Sequence, residues 1–192
     1  MAADAARAIR AEHDNMARVL ACLEDAVADI DAGADAAALD LIYSIVYYLR
    51  VFPDRLHHPK EEAHLFEALR RRAPECAPLL DELSAQHGEG ERRLAVLKDA
   101  VEACERDPEV ALVLQRAARG YITFLQTHMR KEEDEVLPLA EAKLTAQDWR
   151  DIARAFARND DPLFGENLQR GFEALYERIL SAGDKGKGRA RR

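Results

Sequence analysis

Apolar residues recur along this chain at the three- and four-residue intervals of a helix, and no segment alternates like a strand. Alanine, leucine, glutamate and arginine are abundant and glycine is scarce. The pattern predicts a first helix over about Ala3 to Asp31. Ile9, Met16, Leu20 and Leu23 share a stripe with His13, and Gly33 supplies the stop. A second helix is predicted from near Asp35 to Arg72. Pro53 and Pro59 lack a backbone donor, so a kink or short break is expected around Phe52 to Leu56. A third is predicted over about Glu75 to Arg106, with Leu79, Leu80, Leu83, His87, Leu94 and Leu97. A fourth opens at Asp107-Pro108, carries Val113, Leu114, Tyr121, Phe124, Leu125 and His128, and ends near Pro138. Thr145 reads as the N-cap of a short helix through Phe156, and a last helix is predicted from about Glu166 to Leu180.

Short connections between four long helices predict an all-α fold, an up-down-up-down four-helix bundle with two additional short C-terminal helices. One domain is expected over 1–182, the bundle at about 3–140 and the C-terminal helices at about 145–181. The basic stretch 183–192 has no apolar anchor and is expected to be a disordered tail.

Composition narrows the function. Hydrophobic residues make up 48% of the 192 and charged residues 33%, enough for one core under a solvated surface. The formal charge of −8 argues against nucleic acid as the main partner. No apolar run is judged to approach the roughly 20 residues of a membrane span, and the charged N-terminus is unlike a signal peptide, so a cytoplasmic protein is expected. Cys22, Cys76 and Cys104 are odd in number and far apart, which points to free buried thiols.

The chemistry lies in a repeated stretch. His57-His58-Pro59-Lys60-Glu61-Glu62 is echoed by His128-Met129-Arg130-Lys131-Glu132-Glu133. A spacing of four returns to nearly the same helix face, so His57 with Glu61, and His128 with Glu132, point at one spot. Counting at 1.5 Å per residue from the predicted turns brings His13, His57, His87 and His128 to about the same height. Imidazoles and carboxylates in one layer suit iron, with manganese or zinc as alternatives, and two carboxylates able to bridge favour a dinuclear site. His58 is matched by Met129 in the echo, so it is placed at the rim, and His58→Ala is expected to spare the metal. Glu62 and Glu133 are expected to face solvent or basic side chains, and His64 to be a surface residue. Glu91, four after His87, is an additional candidate ligand, and Tyr121 a candidate hydrogen-bond donor beside the site. A ferritin-like oxidase would need Glu-x-x-His twice, and only Glu61 with His64 fits.

His13, His57-x-x-x-Glu61, His87 and His128-x-x-x-Glu132 together resemble the hemerythrin-like (HHE cation-binding) domain family over about residues 8–140. The resemblance implies a non-haem di-iron centre bridged by oxygen and two carboxylates, with those six residues as ligands. Oxygen-carrying members have a second histidine where this chain has Glu91, which points away from reversible oxygen transport. The N-terminal cysteine pair of the iron–sulfur repair relatives is missing as well. The expected function is to bind, sense or reduce a small oxidant such as oxygen, peroxide or nitric oxide. The alternative is an iron storage or sensing module without catalysis. No nucleic acid or membrane partner is expected, and oligomeric state and catalysis stay open.

Overall fold

A computed structural model of the chain describes residues 2–28, 30, 36–157, 161–165 and 168–189. The fold is all-α, and there is no strand among the described residues. Helix α1 spans Ala2–Ala28 and α2 spans Ala36–Val51. The expected stop at Gly33 and the start at Asp35 lie outside the described residues.

After α2 the chain does not break at its prolines. It widens into π-helix over Pro53–His57, makes one α turn (α3, His58–Lys60), widens again over Glu61–Phe66, and closes as α4, Glu67–Arg72. The Phe52 carbonyl accepts from both Leu56 N at 3.0 Å and His57 N at 2.9 Å. Neither Pro53 nor Pro59 can donate, and a wider turn carries the hydrogen-bond ladder past them.

A short 3-10 turn, Pro74–Cys76, leads into α5, Ala77–Arg106. A second, Pro108–Val110, leads into α6, Ala111–Lys131. A third π segment, Glu132–Val136, joins α6 to α7, Leu137–Lys143. The expected end near Pro138 is therefore too early. Pro138 sits in the first turn of α7, where its missing donor is tolerated. Helix α8 spans Ala146–Phe156 and α9 spans Glu173–Arg189, so the last helix starts later than expected. Its helical backbone enters the stretch expected to be a disordered tail, and 190–192 lie outside the described residues.

Helix α1 packs on α2, α6, α8 and α9, and α5 packs on α2 and α6. The core falls into two apolar clusters. One holds Met16, Leu20 and Leu23 of α1, Ile42, Ile45 and Leu49 of α2, Leu97 and Val101 of α5, and Leu114 and Leu125 of α6. The other holds Ile9, Leu65, Phe66, Leu69, Leu80, Leu83, Val136 and Leu137, with Trp149, Ile152 and Phe156 of α8. Four helical stretches cross between the clusters, at 9–16, 52–65, 83–94 and 125–136, and they carry His13, His57, His87 and His128. A buried polar layer thus lies between two apolar ones. The apolar layers drive assembly, and the polar layer is tolerated only if its groups satisfy one another or a ligand.

The stretch Ala36–Arg72 is long and apolar enough, by length and composition, to pass for a membrane span, which the sequence reading did not anticipate. Its apolar positions serve the two clusters: Leu39, Ile42, Ile45 and Leu49 enter one, Leu65, Phe66 and Leu69 the other.

Helix α8 is fixed at its start by a capping box. The Thr145 hydroxyl accepts from Asp148 N, and the Asp148 carboxylate accepts from Thr145 N at 2.9 Å. Arg72 Nε also donates to Asp148 at 2.9 Å. That bond and those from Thr145 hold the carboxyl down at about 2. Asp148→Ala should destabilise the protein by about 1 kcal/mol, as loss of a cap does. A group whose folded pKa is depressed stabilises above its unfolded value, so this contribution should fade as pH falls from about 4 to about 2. Urea melts of both proteins at pH 7 and pH 2 check it: the gap between them should shrink in acid.

Candidate metal centre

Five histidines and two glutamates converge in the polar layer. His13, His57, His58, Glu61, His87, His128 and Glu132 are all buried. In three overlapping groups their ligand atoms lie within 4.8 Å of one another: His13, His57, Glu61 and Glu132; Glu61, His87, His128 and Glu132; and His58, His87 and His128. The six residues named from the sequence are therefore brought together.

The carboxylates divide the centre into halves. Glu61 Oε1 faces His57 Nε2 at 3.3 Å and His13 Nε2 at 3.8 Å, while its Oε2 faces His87 Nε2 at 3.7 Å. Glu132 Oε1 faces His128 Nε2 at 3.3 Å and His87 Nε2 at 3.7 Å, while its Oε2 faces His13 Nε2 at 3.5 Å. Each glutamate thus offers one oxygen to each half. None of these four oxygens has a hydrogen-bond partner, and neither do Nε2 of His87 and His128. Buried acceptors without donors are costly, and a cation between them would satisfy them all.

The outer nitrogens are held. His13 Nδ1 donates to Glu133 at 2.9 Å, His57 Nδ1 to Glu12 at 2.7 Å, His87 Nδ1 to Glu62 at 2.9 Å, and His128 Nδ1 to the Gln86 amide oxygen at 3.0 Å. These acceptors can only accept, so each ring keeps its proton on Nδ1 and turns Nε2 inward. Glu62 and Glu133, expected to face solvent or basic side chains, instead accept from His87 and His13 and fix the direction of those rings. Glu12, Glu133, Glu62 and Gln86 each lie beside, or one residue from, a proposed ligand, and that adjacency was the signal available in the sequence. Glu12→Ala should leave the helices formed but weaken metal binding about 10–100-fold, the usual loss when such a partner is removed. Competition with a coloured chelator measures it.

His58 departs from expectation. It is buried, not at the rim. Its ring stacks on His87 at 4.2 Å and meets His128 edge-on at 5.4 Å. The reason is the π turns on either side of it. Each residue of a π turn advances less than the roughly 100° of an α-helix, so neighbours 57 and 58 diverge less and both reach the interior. His58 Nδ1 faces Asp54 at 3.8 Å.

Glu91 departs the other way. It is exposed, and among the described residues it is in none of the converging groups. Helix α5 is regular α-helix here, and its buried stripe runs His87, Gly90, Leu94. A Cβ on Gly90 would come within 3.4 Å of the Phe124 ring, so Gly90 takes the inward direction and Glu91 turns past it. Glu91 instead lines a surface cavity of about 340 Å³ with Arg50, Asp54, Arg55 and Lys98, whose Asp54 side leads toward His58. Tyr121 is buried, with its hydroxyl pKa pushed well above 10 by burial and by the Asp54 carboxylate. His64 is exposed.

Electrostatics differ around the centre. Burial pushes His13, His57 and His87 down, but neighbouring glutamates outweigh it and raise them to about 9, 10 and 9. His128 falls to about 3 through burial and the neighbouring His87, and burial holds His58 well below 6.5. Burial would raise Glu61, but His57 and His13 outweigh it and hold it well below the carboxylate range. Burial and Glu61 raise Glu132 to about 7. Without metal, protons take the cation's place between imidazole and carboxylate.

Aromatic rings close off the His57 side: Phe156 of α8 lies edge-on to His57 at 6.1 Å, and Phe52 lies at 6.2 Å.

A family model described as the hemerythrin HHE cation binding domain matches residues 4–140. The chain is also similar to an uncharacterized protein of Mycobacterium bovis and to uncharacterized proteins of Mycobacterium tuberculosis. Each is 25% identical over 170 residues. The match covers 88% of this chain and 64% of each relative, so the chain spans less than two thirds of the length of these curated proteins.

Proposed function

The chain belongs to the hemerythrin HHE cation-binding family, and from that premise we propose that it holds two iron ions and reduces or senses a small oxidant such as oxygen, peroxide or nitric oxide. The four alternating passages through the polar layer fit an up-down-up-down four-helix bundle, with α8 and α9 packed outside it. The observation that carries the metal reading is the pair of glutamates, each with one unpartnered oxygen turned to either half. His13 and His57 would complete one half, and His58, His87 and His128 the other.

Iron held there would supply electrons to the oxidant. The protein's part is to fix the donors and tune them. Four outer hydrogen bonds lock the imidazoles. Glu61 and Glu132 place negative charge beside the metal, which favours the ferric state. Phe52 and Phe156 exclude water from the His57 side, and the cavity beside Asp54 offers a small oxidant a way in from the other. A centre so built gives up electrons more readily than it releases oxygen intact. The buried, free cysteines suit a reducing cytoplasm.

Anaerobic loading with ferrous iron, elemental analysis, and absorbance before and after oxygen test the proposal. About two irons per chain and a spectrum that changes irreversibly with oxygen are expected. Zinc alone, or traces of metal, would overturn the metal reading. Bound iron that ignores oxygen and peroxide would favour storage or iron sensing, and a long-lived reversible oxygen band would favour transport.

A further inference from the structure

A file of aromatic rings joins the candidate centre to the surface. The Phe52 ring lies 6.2 Å from the His57 ring. Tyr48 stacks on Phe52 at 5.7 Å, Phe172 meets Tyr48 edge-on at 6.1 Å, and Tyr47 stacks on Phe172 at 5.6 Å. Phe52 and Tyr48 are fully buried and Phe172 nearly so, whereas Tyr47 is 60% exposed. Tyr47 is thus the ring at which the file meets solvent.

Tyr48 has a further feature. Its hydroxyl donates to Asp161 Oδ2 at 3.2 Å in a buried bond. The other Asp161 oxygen accepts from Leu163 N at 2.9 Å and Phe164 N at 3.0 Å, so the carboxylate is fixed in place. A phenol gives up an electron far more easily when its proton has somewhere to go at the same moment. A buried phenol bonded to a fixed carboxylate has that acceptor.

We propose that Tyr48 supplies an electron to the metal centre and is refilled from the surface through Phe172 and Tyr47; this rests on the di-iron reading above. Hydrogen peroxide takes up two electrons and two protons, its O–O bond breaks, and it leaves as two waters. When the metal has one electron left to give, the second comes from Tyr48, by way of Phe52 and His57. The phenolic proton crosses to Asp161, leaving a neutral phenoxyl radical beside a carboxylic acid, and the two protons consumed by peroxide come from solvent. The radical is refilled by an electron from Tyr47, whose own phenolic proton passes to water, while Asp161 returns its proton to Tyr48. Tyr47 is restored by one electron from a thiol or enediol reductant in solution and one proton from water. Peroxide is then fully reduced, and no hydroxyl radical is released inside the fold.

The iron-loaded protein, oxidised until one reducing electron per centre remains, is mixed with hydrogen peroxide and frozen within milliseconds for electron paramagnetic resonance. The expected result is loss of the odd-electron iron signal and appearance of a tyrosyl radical. Tyr48→Phe, which keeps the ring and loses only the hydroxyl, should abolish the radical while iron is still oxidised. Tyr47→Phe should lengthen the radical's life when ascorbate is present. Iron oxidation with no tyrosyl signal, or a signal unchanged in Tyr48→Phe and lost in Tyr121→Phe, would overturn the proposal and leave the di-iron reading standing. Iron that fails to bind, seen by elemental analysis of the same sample, would bring down both.

Discussion

Glu61→Ala should strip the protein of both ions, while His58→Ala should remove one and leave the other. Glu61 offers an oxygen to each half of the centre, so losing it deprives two ions of a donor and of the charge that compensates them. Removing one partner from a buried charged pair costs about 3–5 kcal/mol, enough to lower affinity by roughly two to four orders of magnitude. The converging group that includes His58 holds His87 and His128 and neither His13 nor His57. Losing His58 should leave the half built on His13 and His57 with every donor it had. Iron per chain, counted after desalting, should fall from about two to near none in the first variant and to about one in the second. Circular dichroism shows whether each variant still folds. Two ions retained in folded His58→Ala protein would return that residue to a packing role.

Metal loading at neutral pH should release protons and should become tighter as pH rises. His13, His57 and His87 are raised to about 9, 10 and 9, so in the metal-free protein they compete for protons at pH 7. The cation has to displace those protons, and each one displaced makes apparent affinity rise by up to about tenfold per pH unit until the group would have titrated by itself. A weakly buffered sample with an indicator dye should acidify on loading, and affinity should climb between about pH 7 and 9. An affinity that is flat over that range would contradict it.

The same shifts set the metal-free protein's stability. Histidines raised on folding contribute fully below about 6.5, and that contribution is lost as pH rises through 9 to 10. His58 and His128 are lowered, so their contribution is present above 6.5 and fades as pH falls toward about 3. The metal-free protein should melt highest between those limits. Saturating metal at about a thousand times its dissociation constant should add about 4 kcal/mol, or roughly 8–16 °C for a chain of this size. Scanning calorimetry with and without metal, at pH 7 and pH 10, checks both, and the gap should be wider at pH 10.

The shared level of the histidines was legible in the sequence because it depends on axial rise alone, which tolerates small errors at helix ends. His57-x-x-x-Glu61 and His128-x-x-x-Glu132 were legible because a step of four returns near one face in an α turn and in a π turn alike. What was not legible depends on rotation between immediate neighbours. His58 turns inward because the helix is π on both sides of it, and Glu91 turns outward because α5 is not. The same difference explains why Pro53 widens a helix that it was expected to kink or break. The outer partners escaped notice for another reason. Glu12, Glu133 and Gln86 each reach a histidine on a different helix, and no spacing within one helix reports such a bond.

The three π segments also make chain length at the centre unforgiving. A π turn closes its ring around one more residue than an α turn. Deleting or adding a single residue between Pro53 and Phe66 with the π turns kept would swing everything downstream by about 100°. Leu65, Phe66 and Leu69 would leave the core together with Glu61. Substitutions in this stretch can be absorbed one side chain at a time, whereas a one-residue insertion or deletion changes the phase of the whole helix. In a library of random variants, length changes should therefore be purged between 53 and 66 far more completely than in the connection between α8 and α9.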